Sequence, residues 1–201
     1  MDLEKTVQSL TKKGYQVSVF KTGKEAAAYL DQKVDGKSVG FGDSETLNTL
    51  GLYDLLSAHN DVVDPQHPRE GADFFSTARA CLTTDIFFTS VNGIAETGEL
   101  VNIDGTGNRI AGSLFGHEKV YFVIGSNKIA PTLDEAIWRA RNIAAPENSA
   151  RHHFKTPCAF QQDHCYDCKS PDRICCAQTI YFQKMRFMEM EVVLIDETLG
   201  F

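Results

Sequence analysis

Residues 119–145 read KVYFVIGSNKIAPTLDEAIWRARNIAA, and a change of period inside this run decides the fold class. Lys119 to Ile124 (KVYFVI) is apolar at successive positions and rich in β-branched and aromatic residues, the pattern of a strand buried on both faces. A glycine turn at Gly125 follows. Thr132, with Glu135 three positions on, then forms a capping box ahead of the helix LDEAIWRARNIAA, which is expected to end before Pro146. A buried strand, a glycine turn and a capped amphipathic helix make up the repeating unit of an α/β sheet.

The same alternation extends in both directions. Toward the N-terminus, Leu3, Val7 and Leu10 recur at helical spacing before Gly14, and Tyr15 to Phe20 alternates as a strand. Thr22 and Glu25 cap the alanine-rich helix EAAAYLDQK, and Lys37 to Gly42 (KSVGFG) reads as a buried strand. Asp43-Ser44 caps a helix beginning ETLNTL. A further helix follows Gly51, a short strand falls at Val62-Val63, and Arg69 to Leu82 is predicted helical. Asp85 to Thr89 (DIFFT) and Glu99 to Ile103 (ELVNI) are predicted strands, and Glu191 to Ile195 (EVVLI) closes the chain as the last one. The prediction is a single α/β domain over 1–201, with a mostly parallel sheet and helices on both faces.

Composition bounds the function. A chain of 201 residues with 42% apolar content can bury a full core. The formal charge of −7 opposes general nucleic-acid binding, which needs a basic surface. No run approaches the ~18 apolar residues of a membrane span. The polar N-terminal segment MDLEKTVQSLTKKG has neither an apolar core nor a small-residue cleavage site, so a cytoplasmic protein is expected.

Five of the six cysteines lie within 158–176, in TPCAFQQDHCYDCKSPDRICC. Thiols gathered so densely in a reducing compartment point to a soft metal or an iron–sulfur cluster, because stable disulfides are rare there. Cys165-x-x-Cys168 can turn both sulfurs toward one ion. Cys158 and Cys175 stand symmetrically outside that pair, so Cys158, Cys165, Cys168 and Cys175 form the expected ligand set. Cys176 competes with Cys175 for the fourth place. Zinc and an iron–sulfur cluster both remain open, as does a redox-active Cys175–Cys176 pair. Cys81, Phe74 and Trp138 read as packing residues.

Ligands of open α/β sheets sit beyond the carboxyl ends of strands, near helix N-termini. Three segments have that form. Gly40-Phe-Gly42-Asp43-Ser44-Glu45-Thr46 offers close backbone approach at Gly40 and Gly42, with hydroxyls at Ser44 and Thr46. It suits a carboxylate or phosphate, and equally an ordinary capped turn. Gly125-Ser126-Asn127-Lys128 would bring a cation to the same edge, unless Lys128 is simply solvated. The run from Val91 to Leu100 carries Glu96-Thr97-Gly98, and Asp104-Gly-Thr-Gly-Asn108-Arg109 presents a guanidinium suited to clasping a carboxylate. Glu96 is the candidate general base or nucleophile, or else a surface turn residue, with Asp104-Gly105 a hairpin corner.

The runs NGIAETGELVNIDGTGNRIAG, VIGSNKIAPTLDEAIWRARNIAAPENSAR, TPCA…HCYDCKSPDRIC and VVLIDETLGF together resemble the LUD-domain family of lactate-utilisation proteins, from about Val39 to Phe201. The resemblance implies a fold similar to the ribose-phosphate isomerase and coenzyme A transferase group. It also implies a component of L-lactate oxidation working beside iron–sulfur subunits. By position, it raises Gly42, Ser44, Thr46, Glu96, Thr97, Gly98, Asn108 and Arg109 as ligand-site candidates. Thr97 intervenes where transferase relatives have glycine after the attacking glutamate, and the ferredoxin-like extension of the larger electron-transferring members is not expected here. Three readings follow. The first is a metabolite-binding component of organic-acid oxidation with a metal or cluster in the cysteine loop. The second is a non-catalytic or regulatory module, oligomeric or not, with structural zinc. The third is a free-standing enzyme acting on coenzyme A or sugar phosphates through Glu96.

Overall fold

A computed structural model describes residues 2–201. Its first half carries α1 (Leu3–Lys12), β1 (Gln16–Phe20), α2 (Gly23–Lys33), β2 (Ser38–Phe41), α3 (Glu45–Thr49), α4 (Leu52–Ser57), β3 (Asp61–Val63), α5 (Phe74–Cys81) and β4 (Ile86–Thr89). The second half carries β5 (Gly93–Ala95), β6 (Leu100–Asp104), α6 (Asn108–Leu114), β7 (Lys119–Gly125), β8 (Ile129–Ala130), α7 (Leu133–Arg139), α8 (Ala145–Arg151), α9 (Pro157–Gln161), β9 (Ala177–Tyr181) and β10 (Glu189–Ile195). Six strands form one sheet in the order β1-β10-β7-β4-β2-β3, and every pairing in it is parallel.

β7 shows why the sheet must be covered twice. Its even positions Val120, Phe122 and Ile124 join Leu10 of α1, Cys81 of α5, and Val192 and Leu194 of β10 in one core. Tyr121 and Val123 face the other way, into a core built from Ala26, Ala27 and Leu30 of α2, Leu47 of α3 and Leu52 and Leu56 of α4. Alternate side chains of a strand point to opposite faces, so an apolar residue at each position demands a packing layer on each side. The predicted mostly parallel sheet with helices on both faces is the observed one.

A second, four-stranded sheet, β8-β5-β6-β9, was not expected. It is mixed: β6 runs antiparallel to β5 and β9, while β5 pairs in parallel with β8. Its strands are as short as two residues, too short for periodicity to register. The cysteine segment therefore does not lead straight into the final strand. Cys176 N–H donates to Asp104 O at 3.0 Å, and the chain continues as β9 along β6.

Two boundaries differ from expectation. The helix expected from Arg69 begins at Phe74, because Asp73 accepts the Ser76 N–H at 2.8 Å and the stretch before it is a turn. The helix expected to end before Pro146 instead continues to Arg151. Residues Ala140–Ala144 widen into a π turn in which Ala145 N–H reaches Ala140 O, so the chain passes through proline without breaking.

Phe122→Ala should lower stability by about 3–5 kcal/mol, as for other fully buried aromatic residues. Urea denaturation measures it, and a loss under about 1 kcal/mol would show that β7 is not the centre of the core.

Candidate functional site

The connections out of the parallel sheet diverge between β2 and β4. The chain steps outward from β2 to β3, but from β4 it moves through β7 to β10 on the opposite side. Where connections part, the loops at the carboxyl ends cannot cover one another, and a crevice is left. A cavity of about 500 Å³ lies there. Ser44 reaches it from the loop after β2, Thr46 from the first turn of α3, Ser90 from the end of β4 and Lys128 from the turn after β7. Phe201 reaches it from the tail beyond β10. Asn108 and Arg109 come from the other sheet, at the start of α6.

Lys128 is the most unusual group in the lining. The side chain is 3% exposed, and its ammonium donates to Thr46 Oγ1 at 2.9 Å and Ser90 Oγ at 3.0 Å. Among the described residues no carboxylate is hydrogen-bonded or ion-paired to it. Burial, reinforced by the positive charges of Arg139 and Arg109, pushes its pKa from 10.5 down to about 7. Desolvation disfavours a charged group, and only a compensating anion would restore it.

Other charged groups of the lining already have partners within the protein. Arg151 pairs with Glu45 at 2.9 Å. Asp172 accepts the Lys155 N–H at 2.9 Å. Asp104 accepts the N–H groups of Thr106, Gly107 and Ile110 and so fixes the start of α6, which makes it a helix anchor rather than a hairpin corner. Arg109 donates to Ile103 O and stands 3.9 Å from Asp104 Oδ2, a loose pair that leaves donors of its fork available. The uncompensated charge of the cavity is therefore Lys128, with Arg109 beside it.

Several expected site residues serve other ends. A side chain at Gly40 would lie 2.7 Å from Cys81 O, so this glycine makes room for α5 rather than for a ligand. Gly42 is likewise crowded, by Phe87 and Thr89. Gly125 lets the C-terminal tail pass, with Glu197 O and Leu199 N each 2.8 Å from where its Cβ would be. Asn127 clamps that tail, accepting the Leu199 N–H at 3.1 Å and donating to Gly200 O at 3.2 Å.

Glu96, Thr97 and Gly98 are not part of the cavity lining. Glu96 accepts the Asp2 N–H at 2.7 Å and the Lys5 ammonium at 3.1 Å, and those hydrogen bonds, Lys5 first, hold its carboxyl below the usual range. It fastens α1 to the second sheet. Gly98 packs against Lys13 and Leu10 of the same helix.

The cavity also contains residues whose role sequence reasoning missed. Ser90, Arg151, His152, Arg173 and Phe74 contribute to it. Phe74 is 40% exposed and Trp138 57%, so neither is the core residue expected, whereas Cys81 is core, with its thiol on Val63 O at 3.2 Å. The arginines carry no sequence pattern, because helix α8 and the cysteine loop meet the sheet only in three dimensions.

The cysteine loop forms one wall of the cavity through Pro171 to Ile174. Burial raises the pKa of the Cys175 thiol, Arg173 lowers it, and the charges of Cys165 and Cys168 raise it further. Arg173 holds them in register, donating to Cys168 O at 2.7 Å and Cys175 O at 3.0 Å. Arg141 points at the Cys165 sulfur from 3.8 Å. Cys158 stands apart, its thiol 3.3 Å from Thr156 Oγ1. Among the described residues no three His, Cys, Asp or Glu side chains come together as a metal cage. The donor type suits a soft metal, but the sulfurs would have to close in on one.

The sign of Lys128's effect on stability follows from its depressed pKa. Between pH 7 and pH 10.5 the unfolded chain binds the extra proton, so the destabilisation by Lys128 is full below about pH 7 and fades as pH rises toward 10.5. Lys128→Met is expected to be more stable than the wild type at pH 6, with the gap shrinking by pH 10. Parallel denaturation curves across that range check it; a gap independent of pH would mean that Lys128 is charged normally.

No curated protein matches the chain. A crystal structure of a DUF162 family protein from Deinococcus radiodurans superposes with a TM-score of 0.53 at 14% identity, covering 96% of this chain and 95% of that one, a likeness of fold. The LUD domain profile matches residues 3–195, and so begins well ahead of Val39, where the sequence resemblance starts. The chain belongs to the LUD domain family.

Proposed function

We propose that this protein binds a small carboxylate metabolite in the cavity between the two sheets, in a role connected with lactate utilisation. The observation that carries this reading is a buried ammonium, Lys128, with hydroxyl partners and no carboxylate. A cation desolvated without a counter-ion costs stability, and proteins retain such groups where a ligand supplies the missing charge. Arg109 would clasp the carboxylate through its fork. Thr46 and Ser90 would orient the amine, and Ser44 and Asn108 would offer further hydrogen bonds. Membership of the LUD domain family supports the lactate connection. No helix among the described residues is long and apolar enough to cross a membrane, in keeping with a cytoplasmic component.

The cysteine loop belongs to the same reading. Cys158, Cys165 and Cys168, with Cys175 or Cys176 as the fourth, would hold zinc or an iron–sulfur cluster. Zinc would tie the loop to the wall of the cavity, whereas a cluster would supply one-electron transfer and fit an iron–sulfur subunit as partner. Support comes from the gathering of five cysteines within 158–176 and from Arg173, which donates to the Cys168 and Cys175 carbonyls and also lines the cavity.

Lactate, pyruvate and inorganic phosphate, each titrated against the protein by calorimetry, test the site. A 2-substituted monocarboxylate should bind, and Arg109→Gln should weaken it by at least about tenfold, the worth of a charge-assisted hydrogen bond. Equal affinity in the variant, or no binding of any of the three, refutes the proposal. For the loop, protein purified without oxygen should contain metal that falls to background in Cys165→Ser/Cys168→Ser. Wild-type protein with all of its thiols free to titrate and no metal would rule the loop out as a metal site.

A further inference from the structure

The partly buried lysines of this chain meet different fates. Lys119 has its ammonium 2.7 Å from Glu191 Oε2, and Lys13 lies 2.7 Å from Glu99 Oε1. Both are held as cations by a carboxylate. Lys128 is more deeply buried than either, yet its hydrogen-bond partners are the neutral hydroxyls of Thr46 and Ser90. The charged groups that act on it, Arg139 from α7 and Arg109 from α6, are both cations. Arg139 is itself occupied, donating to Asn127 O at 3.0 Å and Asn92 O at 2.6 Å. An amine placed in this way at the wall of a cavity is a nucleophile as well as an anion receptor.

The geometry points to Lys128 as an imine-forming lysine that captures the carbonyl carbon of a 2-oxo acid whose carboxylate is held by Arg109. This rests on the carboxylate-binding reading above and adds covalent chemistry to it. The ligand class follows from two features together: a guanidinium for the carboxylate, and a neutral amine for an electrophilic carbon next to it. A 2-hydroxy acid satisfies the first and not the second.

The step balances without a cofactor. The amine lone pair attacks C2, a C–N bond forms and the C=O π bond breaks. A proton passes from nitrogen to the new alkoxide, giving a carbinolamine. Loss of water then leaves the imine. No electron is gained or lost. The hydroxyls of Thr46 and Ser90, each within hydrogen-bond reach of Nζ, are placed to relay the proton from nitrogen to the departing oxygen. The lowered pKa keeps a large fraction of the amine neutral near pH 7, where an ordinary lysine is almost wholly protonated.

Reductive trapping tests this on the full-length protein. With pyruvate and cyanoborohydride at pH 7, the intact mass should rise by that of the oxo acid less one oxygen atom, and peptide mapping should put the adduct on Lys128. Labelling there should exceed that at any other lysine by at least about tenfold, given the difference in neutral fraction. Lactate should compete, and should itself give no adduct. Acetaldehyde, which has the carbonyl but no carboxylate, should prefer Lys128 over the surface lysines less strongly than pyruvate does, and lactate should not compete with it. Lys128→Arg, which keeps the charge and cannot form the imine, should lose the adduct.

The outcomes separate cleanly. If lactate binds by calorimetry and pyruvate leaves Lys128 unlabelled, the covalent step is wrong and the carboxylate site stands. If neither binds nor labels, both fall. Labelling spread evenly over the lysines overturns the imine as well. These comparisons use wild-type protein, so they hold even if the variant fails to fold.

Discussion

An all-parallel sheet with apolar residues on both faces can be covered only by helices on each side, and this constraint organises the molecule. β7 imposes it, since Val120, Phe122 and Ile124 need one packing layer while Tyr121 and Val123 need another. Parallel strands need crossovers, so the carboxyl ends of β2, β4, β7 and β10 all open toward one edge. There the loops carry Ser44, Thr46, Ser90 and Lys128 to a single cavity. The second sheet closes it by bringing α6, and with it Arg109, over the rim.

The two ends of the main sheet handle buried cations in opposite ways. At the amino end, Lys119 meets Glu191, which also accepts from Ser18 at 2.7 Å and Tyr29 at 2.8 Å, so charge and hydrogen bonds are satisfied within the protein. At the carboxyl end, the partners of Lys128 among the described residues are the hydroxyls of Thr46 and Ser90. Buried ions are tolerated when paired, and an unpaired one is a cost that folding does not recover. That contrast separates a structural ion network at one end of the sheet from the candidate site at the other.

Tail and loop complete the enclosure. Asn127 holds Leu199 and Gly200, Thr46 donates to Leu199 O at 3.3 Å, and Phe201 ends at the cavity. On the facing side Arg173 joins the backbone of the cysteine loop to the cavity wall.

Much of this could be read from the residues in order. The apolar run at 119–124, the capping box at Thr22, the N-cap at Thr132 and the strand-turn-helix unit after β2 define the α/β class locally, since period and capping depend on near neighbours. The same local logic picked out Ser44, Thr46, Asn108, Arg109 and Lys128. It could not separate them from Glu96, whose Glu-Thr-Gly setting is just as suggestive, because only packing shows that this carboxylate is spent on Lys5 and Asp2. Nor could it find Ser90, Arg151 or Arg173, or the two-residue strand β8, where spacing carries no signal. A lysine in a turn looks the same whether it is solvated or buried. Its desolvation, and so its chemistry, is set by which distant segments fold over it, and that is a property of the tertiary structure alone.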